Sequence, residues 1–191
     1  MSFLEITGFI FGVAGVWLTI KQHVACFPVG LVNVVISLFL FIELKLYSDS
    51  LQQGVYIILL SYGWYRWSRN VKMTSTQPSY MNNEMKIYLF IIFLILSFIM
   101  GYLFDNFTDA DVPYIDAIAT SMSFAAQYLI ARKKIENWLI WIAVNLLYIG
   151  IYSYKEVYLY VVLFLIYLIL AVKGYFDWKS NMKTDKQIIH A

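Results

Sequence analysis

Seven apolar runs separated by short polar breaks dominate this 191-residue chain and leave it few ways to fold. They extend approximately over Ile6 to Ile20, Val24 to Ile42, Leu51 to Trp67, Ile87 to Phe104, Tyr114 to Ala131, Ile135 to Ser153 and Val157 to Phe176. A helix of about 20 mostly apolar residues crosses the hydrocarbon of a bilayer, and each run reaches or approaches that length. The first is short, so it must tilt little or thin the bilayer. Hydrophobic residues make up 61% of the chain and charged ones 14%, where a soluble domain carries roughly 25% charged residues. The expected fold is therefore an all-α polytopic membrane protein with seven transmembrane helices. Its single cysteine, Cys26, excludes an intrachain disulfide, so helix packing and backbone hydrogen bonds must hold it together. Met1 to Thr7 contain Glu5 but no Lys or Arg, and no cleaved signal peptide is expected.

The distribution of basic residues orients such a bundle, because cytoplasmic loops hold the excess of Lys and Arg. Lys21, Arg66, Arg69, Lys72, Lys86, Arg132, Lys133, Lys134, Lys173, Lys179, Lys183 and Lys186 fall on one side, with only Lys45 and Lys155 on the other. That places the N-terminus outside and the C-terminus in the cytoplasm, with a cell (inner) membrane as the location. The connection from Ser68 to Met85 reads as a cytoplasmic loop. Asp105, Asp109 and Asp111 lie in an outer connection, where an acidic solvated loop is a simpler reading than a metal site.

Self-comparison reveals an internal repeat. Tyr47 and Tyr158, Gly63 and Gly174, and Trp67 and Trp178 each stand 111 residues apart, while Asn33 and Asn145 differ by 112. The chain then divides into a three-helix repeat over 1–67, a loop over 68–85, a linking helix over 86–104, a second repeat over 114–178 and a tail over 179–191. The linking helix makes both repeats run in the same direction, a 3+1+3 plan with a pseudo-twofold axis along the membrane normal.

Duplicated bundles of this kind bind ligands where the repeats meet, and three polar stripes point there. Asp116, Thr120, Ser123 and Gln127 share one face of the fifth helix; Trp138, Trp141, Asn145, Tyr148 and Tyr152 share one of the sixth; Gly30, Asn33 and Ser37 form a smaller stripe on the second. Helix packing accounts well for Thr120, Ser123 and Ser37, and for Gly8, Gly12 and Gly15 of the first helix. Asn33, Gln127 and Asn145 are stronger ligand candidates, because an unpaired carboxamide is costly in hydrocarbon. Trp141, one turn before Asn145, offers a flat face to a heteroaromatic ring. Trp138 lies nearer the cytoplasmic interface and also fits an aromatic belt.

No catalytic set, phosphate-binding loop or zinc constellation is present, so no cofactor, metal or nucleic-acid partner is expected. Lys and Arg are absent from the middle of every run, and the cavity is expected to lack the cations a phosphorylated ligand needs. A neutral or cationic heterocycle suits an aromatic, amide-lined site better. Two other classes compete: an intramembrane enzyme using Asp116 as acid or base, and a scaffold or sensor whose stripes only pack helices.

Four segments, FPVGLVNVV (Phe27 to Val35), ELKLYSDSLQQ (Glu43 to Gln53), YGWYRW (Tyr62 to Trp67) and ARKKIENWLIWIAVN (Ala131 to Asn145), resemble the PnuC family of bacterial vitamin-precursor transporters. With the apolar runs, the resemblance extends from about residue 6 to 178. It implies a SWEET-like fold, a homotrimer, and facilitated diffusion of nicotinamide riboside, a non-phosphorylated aromatic cation that a cytoplasmic kinase then traps. It further implies that Trp141 holds the pyridine ring and Asn145 the ribose, with Asn33 and Gln127 as further cavity positions. Relatives carrying thiamine or riboflavin make those vitamins the alternative substrates, and Tyr148 and Tyr152 add an aromatic face that keeps thiamine in play.

Overall fold

A computed structural model describes residues 3–43, 47–69, 77–108 and 111–189, with side chains described over 7–42, 50–69, 77–108 and 111–182. Lys45, Lys72, Asp109 and His190 lie outside the described residues, as do the side chains of Glu5, Tyr47, Lys183 and Lys186. Seven helices follow in order: α1 (Phe3–Ile20), α2 (Cys26–Glu43), α3 (Tyr47–Arg69), α4 (Asn83–Phe107), α5 (Pro113–Ala131), α6 (Glu136–Tyr154) and α7 (Tyr158–Ile189). Each apolar run falls on one helix. The last helix continues beyond Phe176, through most of the stretch expected as a tail.

The bends between helices are built by local hydrogen bonds. After α1, Gln22 turns left-handed (φ 54°), and the amides of Gln22 and His23 reach back to the carbonyls of Thr19 (3.0 Å) and Leu18 (2.9 Å). After α5, Lys133 does the same (φ 49°), with the Lys133 and Lys134 amides bonded to the carbonyls of Ile130 and Leu129, both at 2.9 Å. Each residue of the second cap stands 111 positions after its counterpart in the first. The pattern satisfies two of the four carbonyls that a helix end leaves without intrahelical partners. The end of α6 repeats it at Glu156 (φ 57°).

Packing follows the same spacing. In one half the ring of Phe27 on α2 lies directly on Gly63 of α3; in the other the indole of Trp138 on α6 lies on Gly174 of α7, 2.6 Å from where a Cβ would stand. Helix α1 packs on α2, α2 on α3, α5 on α6 and α6 on α7, while α1 also meets α7 and α3 meets α5. Exchanging α1, α2 and α3 for α5, α6 and α7 leaves this set of contacts unchanged. Helix α4 stands apart and packs chiefly on α5, where Gly101 lets the ring of Tyr114 approach its backbone.

The core lies at one end of the bundle. Phe27, Trp67, Trp138 and Trp178 form an aromatic chain, with Phe27 edge-on to Trp67 at 5.0 Å and Trp138 edge-on to Trp178 at 5.4 Å. The Trp178 indole N–H donates to the carbonyls of Ile20 (3.2 Å) and Thr19 (3.3 Å). Trp67 occupies the matching position, yet its indole N–H has no partner. Lys133 lies over the Trp67 ring at 4.6 Å and donates to Gln22 Oε1 at 3.5 Å, bringing the two caps together. Burial lowers the pKa of its ammonium below the usual lysine value.

The segment before α4 is tied to this end. Ser79 forms a two-way backbone bridge to Lys133 and Ile135, each bond 3.0 Å, and the Lys134 ammonium donates to Ser79 Oγ at 2.8 Å. Glu136 accepts from the Met81 amide at 2.9 Å. The basic ARKKIEN stretch is thus a structural joint as well as a charge marker.

The outer surface is apolar. On α4 alone, Ile87, Phe90, Leu94, Ile95, Phe98 and Leu103 are all exposed. Asn83–Phe107 and Tyr158–Met182 are long and apolar enough to cross a bilayer, and Thr7–Ile20 and Cys26–Ile42 are shorter apolar helices. A protein in water does not leave this much aliphatic surface uncovered, so lipid is the matching solvent.

Candidate functional site

Between the halves lies a cavity of about 780 Å³, within the range of small-molecule sites. It runs from Thr19, Cys26, Phe27 and Trp138 beside the aromatic core to Phe104, Phe107, Asp116 and Lys155 at the opposite end. Every member of the α5 stripe, Asp116, Thr120, Ser123 and Gln127, faces it, because their spacing keeps them on one helical face. The α6 stripe of Trp138, Trp141, Asn145, Tyr148 and Tyr152 lines it as well. From α2 come Gly30 and Asn33; Ser37 of that stripe does not line the cavity.

All six residues singled out in the sequence, Asn33, Gln127, Trp138, Trp141, Asn145 and Tyr148, therefore line one cavity. Their settings differ. Asn145 and Gln127 are almost wholly buried, at 3% and 8% exposure, so their carboxamides meet the cavity rather than the surface. The carboxamide of Asn33 lies against the α1 glycines, with Oδ1 3.4 Å from a Cβ placed at Gly8 and Nδ2 3.6 Å from one placed at Gly12. Gly12 also receives the hydroxyl of Tyr167, and Gly12 and Gly15 line the cavity, so the glycine face is at once a packing face and a cavity wall. Tyr148 turns its hydroxyl toward Thr120, Ser123 and Gln52, while Tyr56 turns toward Ser123 and Gln52.

Two expectations need correction. Trp138 is not an interfacial belt residue: it is 1% exposed, packed on Trp178 and Gly174, because the repeat places it opposite a glycine in the core. The cavity also does not lack a cation. Lys155, expected in an outer loop, lines the end of the cavity away from the aromatic core, since it is the C-cap of α6. Its ammonium stands 3.8 Å from Asp116 and 3.8 Å from Asp111.

Several lining residues escaped the sequence reading: Gln52, Gln53 and Tyr56 on α3, and Phe164 and Tyr167 on α7. Tyr56 and Tyr167 stand 111 apart, so extending the repeat would have found both. Gln52 precedes Tyr56 by one helical turn and carries the same burial cost that marked Asn33.

A family model described as "Nicotinamide mononucleotide transporter" matches residues 2–180 of this chain. The chain belongs to that family. Among curated members, the "Nicotinamide riboside transporter PnuC" of Escherichia coli (strain K12) is 22% identical over 209 residues, covering 96% of this chain and 87% of the relative. The protein of the same description from Haemophilus influenzae is 23% identical over 132 residues, covering 68% and 58%. A solved structure, "Crystal structure of the Vitamin B3 transporter PnuC", superposes with a TM-score of 0.78 at 18% identity, covering 96% of this chain and 83% of the other. The nicotinamide mononucleotide transporter family thus accounts for the helical fold and for a cavity in place of an active site. In this member, one wall is asymmetric in an informative way: Gly30 occupies the position that Trp141 holds in the other half, 111 residues on. A single indole projects from the paired α2 and α6 positions, and at Gly30 the side chain of Leu60 packs instead, its Cδ2 3.2 Å from where a Cβ would stand.

Proposed function

We propose that this chain carries nicotinamide riboside across the membrane by facilitated diffusion. The observation that carries this reading is the convergence of two indoles, five carboxamides and several tyrosine hydroxyls on a single cavity whose one ammonium among the described lining residues, that of Lys155, is engaged by two carboxylates. A pyridinium ring can lie on Trp141, gaining about 1–2 kcal/mol once desolvated. Asn145, Gln127 and Asn33 present donors and acceptors to ribose hydroxyls and to the ring amide, while Trp138 and Tyr148 bound the site toward its inner and outer ends. A 5′-phosphate would need free positive charge, which Lys155 does not offer while bridging Asp111 and Asp116; the riboside suits the cavity better than the mononucleotide of the family description.

The architecture we propose is two parallel three-helix repeats joined by α4, in the SWEET-like 3+1+3 manner, with all seven helices crossing the membrane. The interchangeable contact pattern and the matched caps at Gln22 and Lys133 support it. The basic end, with Lys21, Arg66, Lys133 and Lys134, is then cytoplasmic, the N-terminus outside, and the membrane the cell (inner) membrane. A homotrimeric assembly and trapping of the vitamin by a cytoplasmic kinase rest on the family resemblance. The thiamine alternative relies on the tyrosine face of α6, where Tyr148, Tyr152 and Phe164 line the cavity as a stacked panel, and competition between the two vitamins separates the readings.

Purified protein in liposomes decides the matter. Saturable uptake of labelled nicotinamide riboside without ATP, competed by unlabelled riboside and not by thiamine or riboflavin, is the expected result. Full competition by thiamine with none by the riboside rejects the substrate. Trp141→Ala should weaken binding by about tenfold or more, the equivalent of roughly 1.4 kcal/mol. Normal affinity in that variant rejects the site.

A further inference from the structure

The cavity has two chemically distinct levels. Asn145 and Trp141 lie deep in it on α6, whereas Lys155 stands 14 residues beyond Trp141 in sequence, about 20 Å higher at helical rise. On α5, Asp116 stands 11 residues before Gln127, a separation of about 16 Å. At the outer level, Asp116 is the only carboxylate and Lys155 the only ammonium among the described lining residues. Lys155 is shared at equal distance, 3.8 Å, between Asp116 inside the mouth (side chain 23% exposed) and Asp111 outside it (62% exposed). Neither contact is a close hydrogen-bonded pair, so the ammonium is held by two partners rather than locked to one. Beside them Tyr148, Tyr152 and Phe164 form a stacked aromatic panel along the same wall, with Tyr152 and Phe164 centroids 5.4 Å apart.

From this geometry we propose an outer capture subsite for the organic cation, above the Trp141 site and resting on the substrate reading given above. Asp116 supplies its counter-charge, the Tyr152 and Phe164 panel its aromatic edge, and Lys155 its removable cover. With the mouth empty, Lys155 neutralises Asp116. When a cation enters, Lys155 shifts its weight to Asp111, and the exposed Asp116 carboxylate holds the positive ring before it descends. Such a mouth concentrates cations and discriminates charge through the rate of arrival, without adding affinity at the deeper site. Asp116 is thereby a specificity-determining residue, and Lys155 and Asp111 position it.

The test uses the full chain in liposomes and two probes of nearly identical shape: nicotinamide riboside, which is cationic, and its reduced dihydropyridine form, which is neutral. Initial uptake rates are measured across concentration and at two ionic strengths. For the cation, Asp116→Asn should raise KM about tenfold, leave the maximal rate unchanged and abolish the salt dependence of KM. The neutral form should keep its KM within twofold. Lys155→Met should shift the cation the opposite way, lowering KM several-fold, because the lysine no longer competes with the cation for Asp116. Asp111→Asn should raise KM for the cation alone, since the lysine loses its outer partner. Equal effects of Asp116→Asn on both probes, or the same direction of change in Asp116→Asn and Lys155→Met, would mean the bridge only braces the helices and would overturn the proposal. Wild-type protein that transports neither probe instead overturns the substrate reading itself, a distinct outcome.

Discussion

Trp138 and Gly174 show how one residue's size sets another's identity. The indole occupies the volume a Cβ at 174 would need, at 2.6 Å, and the ring is held on its other side by Trp178. Gly174→Ala forces a shift in a packed aromatic core, and we expect a cost of about 1–3 kcal/mol, measured as a lower unfolding temperature in detergent. Gly150, also within a helix, has nothing within 4 Å of its would-be Cβ. Gly150→Ala should therefore leave stability unchanged or slightly raised, by up to about 1 kcal/mol. If both substitutions cost the same, the close approach at Gly174 does not limit packing. The same logic makes Asn33 legible in part. Its carboxamide was recognisable as costly to bury, but the Gly8 and Gly12 surface against which it rests belongs to another helix.

At the scale of helices, faces and ends carry separate information. Spacings of three and four residues predict that Asp116, Thr120, Ser123 and Gln127 look the same way, and they do so into the cavity. Helix ends were less legible: the three left-handed caps fall on Gln22, Lys133 and Glu156, where glycine is the usual choice. A residue with a Cβ pays about 1 kcal/mol for that conformation. Glu156→Gly should relieve it and raise the stability of the α6–α7 turn by about that amount, read as a higher unfolding temperature. A fall would show that the side chain of Glu156 contributes more than its backbone costs. Lys133→Gly is a poorer test, because its ammonium also covers Trp67 and reaches Gln22.

Across the whole molecule, the two halves match in contacts and differ in hydrogen bonding. Trp178 ties α7 to the end of α1 through two carbonyls, while Trp67, its repeat counterpart, leaves its N–H unpaired. Removing the pairing atom should therefore cost more at one position than at the other. Trp178→Phe is expected to lose about 1–2 kcal/mol beyond the loss for Trp67→Phe, since it removes the N–H that the Ile20 and Thr19 carbonyls accept, the Thr19 carbonyl keeping its bond from the Gln22 amide. Equal losses in detergent unfolding would show that the difference between the halves has no energetic weight. Gly30, at the repeat position of Trp141, is a second departure from symmetry: both line the cavity, but Leu60 packs where a side chain at 30 would begin.

The order of apolar runs, the repeat spacing and the polar stripes were written in local composition and periodicity, because the solvent a helix faces and the face it buries are settled within a few turns of its own residues. Which stripe meets which, and so whether Asn33 lies on Gly8 or Lys155 reaches Asp116, depends on the approach of helices distant in the chain. That approach is governed by small residues and cap angles whose effects accumulate over many ångströms. Lys155 was misplaced for this reason: its chain neighbours describe a loop, while its spatial neighbours make it a charge lining the cavity, and the belt alternative for Trp138 fell because its spatial neighbours make it a core residue as well as a cavity-lining one.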